Sequence, residues 1–278
     1  MQLKCNIIKN LLDSSFKEDF GIKGDITSNS VIDKQENIEF SINSRQAAIL
    51  CGMQIAKYYL DNYSSIKYTI HKNDSDTINT GDRLISGQGN AREVLLIERI
   101  ILNYIQHLTG ISTLTNKFVK KTSGTKAKIL DTRKTTPMLR SLQKYAVTCG
   151  GGHNHRLALD SSIMIKDNHI AICGGIEKAI QNAKKHNPHY AKIEIECDTT
   201  EQVKSAIEEG VDIILLDNMS IDQINESINI IDGRAEIEAS GNVSLETVES
   251  IARTGVDYIS VGKITHSAPS ADIGLDIK

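Results

Sequence analysis

Two histidines and an arginine follow three glycines in the segment CGGGHNHR, residues 149–156. His153 and His155 suggest a metal site, because imidazole is a common metal ligand. The glycines and Arg156 suggest an anion site, because glycine lets backbone N–H groups approach a ligand and arginine binds carboxylates and phosphates through paired donors. A glycine-rich hinge followed by polar residues is the third interpretation. Which of these three interpretations applies depends on the elements that position the segment.

Six short apolar runs in the second half of the chain each end on a polar or small residue. From about residue 127 these runs alternate with helical patterns such as GIEKAIQNAKKH, which predicts a parallel sheet or barrel. The carboxyl ends of parallel strands meet on one face, and α/β barrels carry their active sites there. A helix cap explains an Asp or Ser at such a position, but Lys and Glu are poor caps. The six terminal residues are Asp131, Lys166, Glu196, Asp217, Ser240 and Gly262.

Small residues and carboxylates at these ends predict a phosphate and metal site. The segments ASGNV and SVGKI close the last two runs, and loops after the last strands of a barrel commonly hold phosphate. Glu196 and Asp217 end neighbouring runs and suit Mg²⁺, which prefers a few carboxylates together with phosphate oxygens. A buried carboxylate pair held by Lys or Arg is the alternative. Glu194 shares a strand face with Glu196 by the two-residue alternation of a strand.

Cations are also concentrated around the predicted strand ends. Lys166 ends an apolar run, and an apolar strand does not bury a lysine without a reason, so we expect either an anion-binding charge or a Schiff-base amine. Arg133 and Lys134 follow the KIL run, while His155 and Arg156 end the opening segment. Several cations around a few carboxylates predict a substrate that carries carboxylate or phosphate groups.

Composition argues against several other classes of protein. The chain has 278 residues, 40% of them hydrophobic, which is enough for one large domain or two modest ones, and its net charge of -3 gives no basic field for nucleic acid. No apolar run approaches the roughly 18–20 residues of a membrane span, and the N-terminus lacks the apolar centre of a signal peptide. The five scattered cysteines form no C-x-x-C pair, which predicts a reducing cytoplasm rather than zinc or disulfide chemistry.

Residues 1–90 predict a separate layer of helices and strands. A helix is expected over residues 3–16, strands at NIEFSI, AAILCG, IKYTIH and DRLISG, and one more helix near residues 54–60. Residues 91–122 carry apolar residues at helical spacing, and Gly110 is the expected point for a break or kink in that helix.

Long motifs recur along nearly the whole chain in a fixed order: EDFGIKGDITS, ERIILNYIQHLTGIST, DTRKTTPMLR, KYAVTCGGGHNHR, IKDNHI, IEIEC, LLDNM, EASGNV and VGKITHS. In order and spacing these motifs resemble the quinolinate phosphoribosyltransferase family. The resemblance implies an α/β fold in which an N-terminal α/β sandwich domain covers residues 1–108 and residues 268–278 return to it. An incomplete, open α/β barrel, of the type II phosphoribosyltransferase kind, would cover residues 109–267.

The resemblance also implies a reaction and its partners. Quinolinate and phosphoribosyl pyrophosphate would give nicotinate mononucleotide, pyrophosphate and CO₂ with Mg²⁺, a pentosyl transfer in de novo NAD biosynthesis. Two copies of the chain would form a homodimer with shared active sites, and a higher oligomer is compatible with this. No nucleic acid or membrane partner is expected.

Matching positions then acquire roles by resemblance. Lys134, Lys166, Glu196 and Asp217 would be catalytic, with the two carboxylates also reaching Mg²⁺, partly through the pyrophosphate. Arg99 would come from the partner subunit. Cations would hold the two quinolinate carboxylates, with Lys134 shared between the quinolinate and phosphoribosyl sites, and small residues near the last strands would hold the 5′-phosphate. The substrate-binding set is Arg99, Thr132, Arg133, Lys134, His155, Arg156, Lys166, Glu196, Asp217, Ser240, Gly241, Asn242, Val261, Gly262, Lys263 and His266.

Under this resemblance, residues 149–156 are expected to bind an anion rather than a metal. Zinc needs three or four ligands in a tetrahedral arrangement, and no Cys or His cluster in the sequence supplies the others. Gly150–Gly152 are expected to end the preceding helix and turn the backbone tightly. His153 is expected to be solvent-facing or structural, whereas His155 and Arg156 would donate to a substrate carboxylate.

Two departures from the family pattern and three alternatives remain at this point. Met138 stands where the family usually has Gly, and Ser161 where it usually has Asp, which could shift the loop that carries Arg156. A molybdenum-transport-associated relative shares the fold but, as the pattern is understood, lacks the Lys-Asp-Asn-His motif that is intact from Lys166 to His169. A Schiff-base aldolase using Lys166 and a non-catalytic metabolite-binding protein are the other two.

Overall fold

A computed structural model describes residues 5–278, which divide into two compact units. The first unit contains the chain up to Asn116, Thr136–Gly151 and Ser267–Lys278, and the second contains Lys117–Thr135 and Gly152–His266. Compact units are not the same as folding domains, so the predicted domain ranges stay a prediction. The elements, in chain order, are α1 (Cys5–Phe20), α2 (Ile26–Val31), β1 (Asn37–Ser44), β2 (Ala48–Ile49), α3 (Met53–Tyr63), β3 (Lys67–Ile70), β4 (Thr77–Ile78), β5 (Arg83–Asn90), α4 (Ala91–Lys121), β6 (Lys128–Leu130), α5 (Arg140–Cys149), β7 (Ile163–Ile165), α6 (Asp167–Cys173), α7 (Ile176–His186), β8 (Ile193–Cys197), α8 (Thr200–Glu208), β9 (Ile213–Asp217), α9 (Ile221–Ile231), β10 (Glu236–Ser240), α10 (Val248–Arg253), β11 (Tyr258–Ser260), α11 (Lys263–His266) and β12 (Ile273–Ile277).

The first unit is built on a four-stranded antiparallel sheet in the order β12-β1-β5-β3. In β1, Phe40 and Ile42 are buried and point to the same side, as the two-residue alternation of a strand requires. The last strand of the chain pairs with β1, where Ile42 lies opposite Leu275. The C-terminal segment therefore completes the N-terminal sheet.

The first helix differs from its prediction at the C-terminal end. Residues 3 and 4 of the predicted helix lie outside the described residues, and the helix continues past residue 16 to Phe20. Gly21 follows in the left-handed conformation with φ 61, and its N–H donates to Lys17 O at 3.0 Å. A glycine just past the helix end has no Cβ to oppose that conformation, so the helix ends here rather than at the first polar residues.

Gly110 does not break the long helix, contrary to the prediction. The helix α4 runs without interruption through Ala91–Lys121. A Cβ on Gly110 would lie 2.0 Å from the carbonyl oxygen of Pro269 and 3.2 Å from Ser270 Cα. The glycine therefore provides room for the returning C-terminal segment, which local sequence could not reveal. Among the described residues, no helix is both long enough and apolar enough to cross a membrane.

The second unit is built on a six-stranded parallel sheet in the order β6-β11-β10-β9-β8-β7, and from β7 onward helices lie between successive strands in the chain. All six strands predicted from the apolar runs are present, and the mixed α/β fold class is confirmed. Within the part of the chain that the structure describes, no strand ladder joins the edge strands β6 and β7, as in an open barrel. Helix caps fix the connections: Thr199 Oγ1 and Ser220 Oγ accept the N–H groups of Gln202 and Gln223, each at 3.3 Å.

Candidate active site

One face of the parallel sheet collects its acidic side chains. Glu196 on β8 lies opposite Leu215 on β9, which in turn lies opposite Glu238 on β10, so all three side chains leave the same face. Two residues further along, Ser240 lies opposite Asp217 on that face. Glu196 and Asp217 do not cap the next helices, because Thr199 and Ser220 take those positions. The capping alternative is therefore wrong for Asp217.

Lys166 lies just beyond β7, at the N-cap of α6. Its backbone N–H donates to His169 Nδ1 at 2.9 Å, which gives the Lys-Asp-Asn-His motif a structural role in fixing the lysine. Its Nζ forms an ion pair and hydrogen bond with Glu196 Oε2. The Lys166 side chain is 41% exposed, so it is not buried within the apolar strand. The end of the strand leaves the amine open to solvent and to a ligand.

Asparagine side chains interlock the loops after β9 and β10. Asn218 Nδ2 donates to Asp217 Oδ2 at 2.6 Å, and Asn242 Nδ2 donates to Asn218 Oδ1 at 3.0 Å. Gly241, between them in space, has φ 90, and a Cβ there would lie 2.2 Å from Asn218 Oδ1. Only glycine fits this position without moving Asn218. The motifs LLDN and ASGN thus form one rigid corner that orients the Asp217 carboxylate.

A second group forms around Gly262, after β11. A Cβ on Gly262 would lie 3.2 Å from Lys134 Cδ and 3.4 Å from the His266 ring, so both side chains pack against this glycine. Thr265 Oγ1 donates to Lys134 O at 2.8 Å, and the Lys134 N–H donates to Thr132 Oγ1 at 3.0 Å. The structure therefore brings together four predicted residues, of which the first, Thr132, and the last, His266, are 134 positions apart in the chain. Val261 is buried and Lys263 is exposed beside them.

The glycines of the opening segment end a helix, as predicted. The helix α5 ends at Cys149, and its C-cap Gly150 donates to Ala146 O at 3.1 Å. Gly151 then adopts φ 88. His153 joins the edge of the sheet through its backbone, since its N–H donates to Ile129 O at 2.8 Å, and its side chain is exposed. The structural interpretation of His153 is confirmed.

Asp131 holds the rest of that segment from the end of β6. Its side chain is completely buried. Asp131 Oδ1 accepts the His155 N–H at 2.9 Å, and Oδ2 accepts from Asn154 Nδ2 at 2.6 Å. The aspartate at this strand end therefore orients a neighbouring loop.

His155 lies over two buried carboxylates, Glu194 and Glu238. Its Nε2 is 3.1 Å from Glu194 Oε2 and 3.7 Å from Glu238 Oε1, and its Nδ1 accepts the Arg156 N–H at 2.7 Å. Burial, and next the negative charge of Glu194, raise the pKa of Glu238 to about 7. Among the described residues this trio is the group of potential metal ligands whose donor atoms lie within 4.8 Å of one another. His153 is not part of it, so the segment forms no His-x-His metal site.

Two guanidinium groups share the same end of the sheet. Burial, and next the positive charge of Arg133, lower the pKa of Arg156. Arg156 Nη1 donates to Ser162 O at 3.0 Å, which fixes its direction. Ser161, one of the two departures, accepts the Ala158 N–H through Oγ at 3.3 Å and thus supports the turn in this loop.

Comparison with known proteins decides the family. Residues 25–109 match the model of the quinolinate phosphoribosyl transferase N-terminal domain, and residues 111–276 match that of the C-terminal domain. The chain belongs to the quinolinate phosphoribosyltransferase family. The resemblance of the motifs is thereby confirmed.

Relatives match this chain in structure or in sequence over nearly its whole length. A crystal structure of a nicotinate-nucleotide pyrophosphorylase from Ehrlichia chaffeensis is 46% identical, with a TM-score of 0.95 and complete coverage of both chains. NadC from Streptococcus pyogenes is 36% identical, with a TM-score of 0.94, over 100% of this chain and 99% of that one. A probable carboxylating nicotinate-nucleotide pyrophosphorylase of Bacillus subtilis is 41% identical over 97% of this chain and 93% of its own length.

Sequence reasoning missed Glu238 and the role of Asp131 in this member of the quinolinate phosphoribosyltransferase family. Glu238 could have been found by the same alternation that grouped Glu194 with Glu196, because it precedes Ser240 by two residues on a predicted strand. The contact of Asp131 with the His155 backbone depends on a loop 24 residues away and carries no local signal.

Arg99 lies in the other compact unit, on the exposed face of α4. Its expected approach to the active site of a partner subunit stays a prediction.

Proposed function

We propose that the protein is a quinolinate phosphoribosyltransferase that converts quinolinate and phosphoribosyl pyrophosphate to nicotinate mononucleotide, pyrophosphate and CO₂. The observation that carries the proposal is the end of the parallel sheet, where the second compact unit contains Arg133, Arg156 and the Lys166–Glu196 pair. The names of the relatives point to the same pentosyl transfer, since the Bacillus subtilis relative is a probable carboxylating nicotinate-nucleotide pyrophosphorylase.

The cations suit a pyridine dicarboxylate. Two carboxylates on adjacent ring carbons need donors in fixed positions, and Arg133 and Arg156 provide forked donors whose mutual repulsion a dianion relieves. Lys166 is paired with Glu196 in the free protein, so a substrate carboxylate competes for an amine that is already held in place. Lys134, exposed beside Gly262, serves both the quinolinate and the phosphoribosyl site.

The carboxylates and small residues suit the phosphoribosyl group. Glu196 and Asp217, on neighbouring strands, offer the oxygen donors that Mg²⁺ prefers and can also accept from the ribose hydroxyls. Mg²⁺ supplies charge neutralisation for the departing pyrophosphate when it is bound there. The proposed 5′-phosphate site is lined by Ser240, Gly241, Asn242, Val261, Gly262, Lys263 and His266.

Positioning and electrostatics supply the rate in this proposal. The bond from the ribose to pyrophosphate breaks with oxocarbenium character, and the protein holds the pyridine nitrogen against the anomeric carbon. Loss of the 2-carboxylate as CO₂ then leaves an electron pair on the ring carbon beside the quaternised nitrogen. A fixed cation such as Lys166 or an arginine stabilises that carbanion until it takes a proton, so no covalent enzyme intermediate is needed.

A homodimer with shared sites is part of the proposal. Large apolar side chains are exposed in the segment between α1 and the end of α2, where Ile22 and Val31 are 103% and 73% exposed. Exposed apolar residues in one segment are typical of an interface. Arg99 would reach the partner's site from α4. A cytoplasmic location fits the four free thiols among the described residues, Cys51, Cys149, Cys173 and Cys197.

The activity assay tests the main proposal. Purified protein is incubated with quinolinate, phosphoribosyl pyrophosphate and Mg²⁺, and nicotinate mononucleotide and CO₂ are measured together. We expect equal amounts of both products and none when EDTA is added. Folded protein that forms no nucleotide would overturn the proposal, and an adduct trapped by borohydride with a keto substrate would favour the Schiff-base alternative.

Subunit mixing tests the shared site. Arg99→Ala and Lys134→Ala variants are each expected to be nearly inactive, and refolded mixtures should regain up to about a quarter of the wild-type activity, because half of the dimers are hybrids and each has one intact site. Hybrid dimers that form without any activity would contradict the contribution of Arg99 across the interface.

A further inference from the structure

Both ring nitrogens of His155 are already engaged within the protein. Nδ1 accepts the N–H of Arg156 at 2.7 Å, so the proton of the neutral ring lies on Nε2. Nε2 is directed at Glu194, 3.1 Å from Oε2 and 3.3 Å from Oε1. Protein groups therefore hold the ring at both of its nitrogens. The side chain is only 10% exposed, in agreement with an inward-facing role.

The two carboxylates below His155 have no place in the catalytic scheme. Glu194 and Glu238 are 3% and 2% exposed, although burying carboxyl groups is costly unless they are paired or hydrogen-bonded. Glu238 Oε1 is buried without a hydrogen-bond partner and lies 3.7 Å from His155 Nε2. A buried acidic pair of this kind needs a partner, and the group it faces is the imidazole.

We propose that Glu194 and Glu238 are positioning residues that hold His155, and through it Arg156, in place for the dicarboxylate substrate. The inference rests on the proposed function. His155 then acts as a strut between the carboxylate pair and the Arg156 backbone, in addition to its predicted role at the substrate. Arg156 contacts the dicarboxylate from this segment.

The surrounding bonds agree with a strut. Asp131 holds the His155 N–H at 2.9 Å, so the backbone on one side of the ring is fixed. The ring fixes the Arg156 N–H, and Arg156 Nη1 is fixed by Ser162 O at 3.0 Å. Asp131, the His155 ring and Ser162 thus determine where the guanidinium points. Without the carboxylates of Glu194 and Glu238 the His155 ring is free to turn, and Arg156 then binds the substrate less tightly.

Two substitutions of Glu194 test the proposal. Glu194→Met removes the acceptor with an unbranched side chain, whereas Glu194→Gln keeps an oxygen for Nε2–H. We expect Met to raise the KM for quinolinate about 10- to 100-fold and Gln less than about 5-fold, because an unmade buried hydrogen bond is the more costly loss. The KM for phosphoribosyl pyrophosphate should change less than about 2-fold in both. Equal effects of Gln and Met, or parallel changes in both KM values, would overturn the strut.

A double variant tests whether Glu194 acts through His155. If it does, His155→Ala combined with Glu194→Met should raise the quinolinate KM no further than His155→Ala alone, within about 2-fold. Multiplying effects would show that Glu194 does not act through His155 and would overturn the proposal. Glu236→Gln is the matched control, since that acid lies on the same strand as Glu238 but pairs with exposed Lys192.

Two further measurements keep the outcomes separate. Circular dichroism and quinolinate binding by calorimetry identify a variant that has merely unfolded, and the Gln variant then carries the test. Stoichiometric metal that persists after EDTA treatment and disappears in Glu238→Gln would overturn the proposal, because coordination would then hold His155. An inactive wild type would contradict the proposed function, whereas an active wild type without the KM split contradicts only this inference.

Discussion

The two sheets of this protein differ in how deeply their charged side chains are buried. In the antiparallel sheet of the first unit, the ion pair between Arg45 and Asp276 is exposed, with 44% and 43% of the two side chains accessible. In the parallel sheet of the second unit, Glu194 and Glu238 are almost fully buried on one face. Exposed pairs contribute little to stability, whereas buried carboxylates are costly and persist where something depends on them.

The burial of charged pairs also differs between the two ends of the parallel sheet. At the carboxyl end, Lys166 pairs with Glu196, which is 14% exposed, beside the other proposed site residues. At the amino end, Lys192 pairs with Glu236, which is 38% exposed, and no proposed site residue lies next to it. Two lysine–glutamate pairs of the same chemistry thus differ in their position along the strands. Burial and strand end, rather than the presence of a pair, indicate function.

Substitution of the two lysines is the sharpest test of this comparison. Lys166→Ala should lower kcat/KM at least about 1,000-fold, because a fixed cation for a carboxylate and a developing carbanion is lost. Lys192→Ala should leave kcat/KM within about 2-fold of wild type. Steady-state assays of both variants, with circular dichroism to verify folding, check the contrast. Near-normal activity of Lys166→Ala would remove that lysine from the site and the comparison would fail.

In the first unit the sensitive positions are set by packing rather than by charge. Gly110→Ala adds a methyl group where the carbonyl oxygen of Pro269 is 2.0 Å away, and backbone cannot move as a flexible side chain can. We expect a loss of about 3 kcal/mol in the free energy of unfolding, even though Ala favours helix over Gly by about 1 kcal/mol. Urea denaturation measures it. Asn103→Ala, on the exposed side of the same helix, is the control and should not destabilise the protein.

Glu238 predicts a pH dependence for the second unit. Its pKa is raised from 4.5 to about 7 by burial and by Glu194, so the folded state keeps this proton longer than the unfolded state. The resulting stabilisation is fully present below pH 4.5 and is lost as the pH rises through about 7.

Glu238→Gln should remove this dependence. Between pH 5 and pH 8, wild type should lose about 1–3 kcal/mol of unfolding free energy relative to the variant. Urea denaturation at the two pH values measures the difference, and the exposed Glu236→Gln should run parallel to wild type. An unchanged difference between Glu238→Gln and wild type across this range would contradict the raised pKa.

The sequence predicted those features that depend on short stretches of chain. Six strands of the second unit and the polar residues near their ends follow from local alternation of apolar runs and helices, and all six strands form. The end of α5 at Gly150 likewise follows from local glycine chemistry. The short helix α2, capped by Asp25 through its bond to the Ser28 N–H at 2.9 Å, was missed because six residues carry too little periodicity.

Features that depend on distant segments could not be predicted. A glycine within a helical pattern predicts a break or kink, whereas the contact that requires Gly110 comes from Pro269, far along the chain. The contact of His155 with Glu194 joins a loop and a strand 39 residues apart. Its geometry engages both ring nitrogens, which a residue type alone does not reveal. Register and loop placement, not residue identity, therefore decide which groups a side chain contacts.

The smallest effect is expected where the comparison began, at the exposed pair on the antiparallel sheet. Arg45 Nη2 lies 2.5 Å from Asp276 Oδ1, but Asn43 Nδ2 also donates to Asp276 Oδ2 at 2.7 Å. After Arg45→Gln, water and Asn43 still satisfy the carboxylate, so the thermal midpoint should move by less than about 2 °C, and added salt should reduce even that. Calorimetry at low and high salt checks it. A large, salt-independent loss would mean that an exposed pair can matter as much as a buried one, and exposure would no longer distinguish the two sheets.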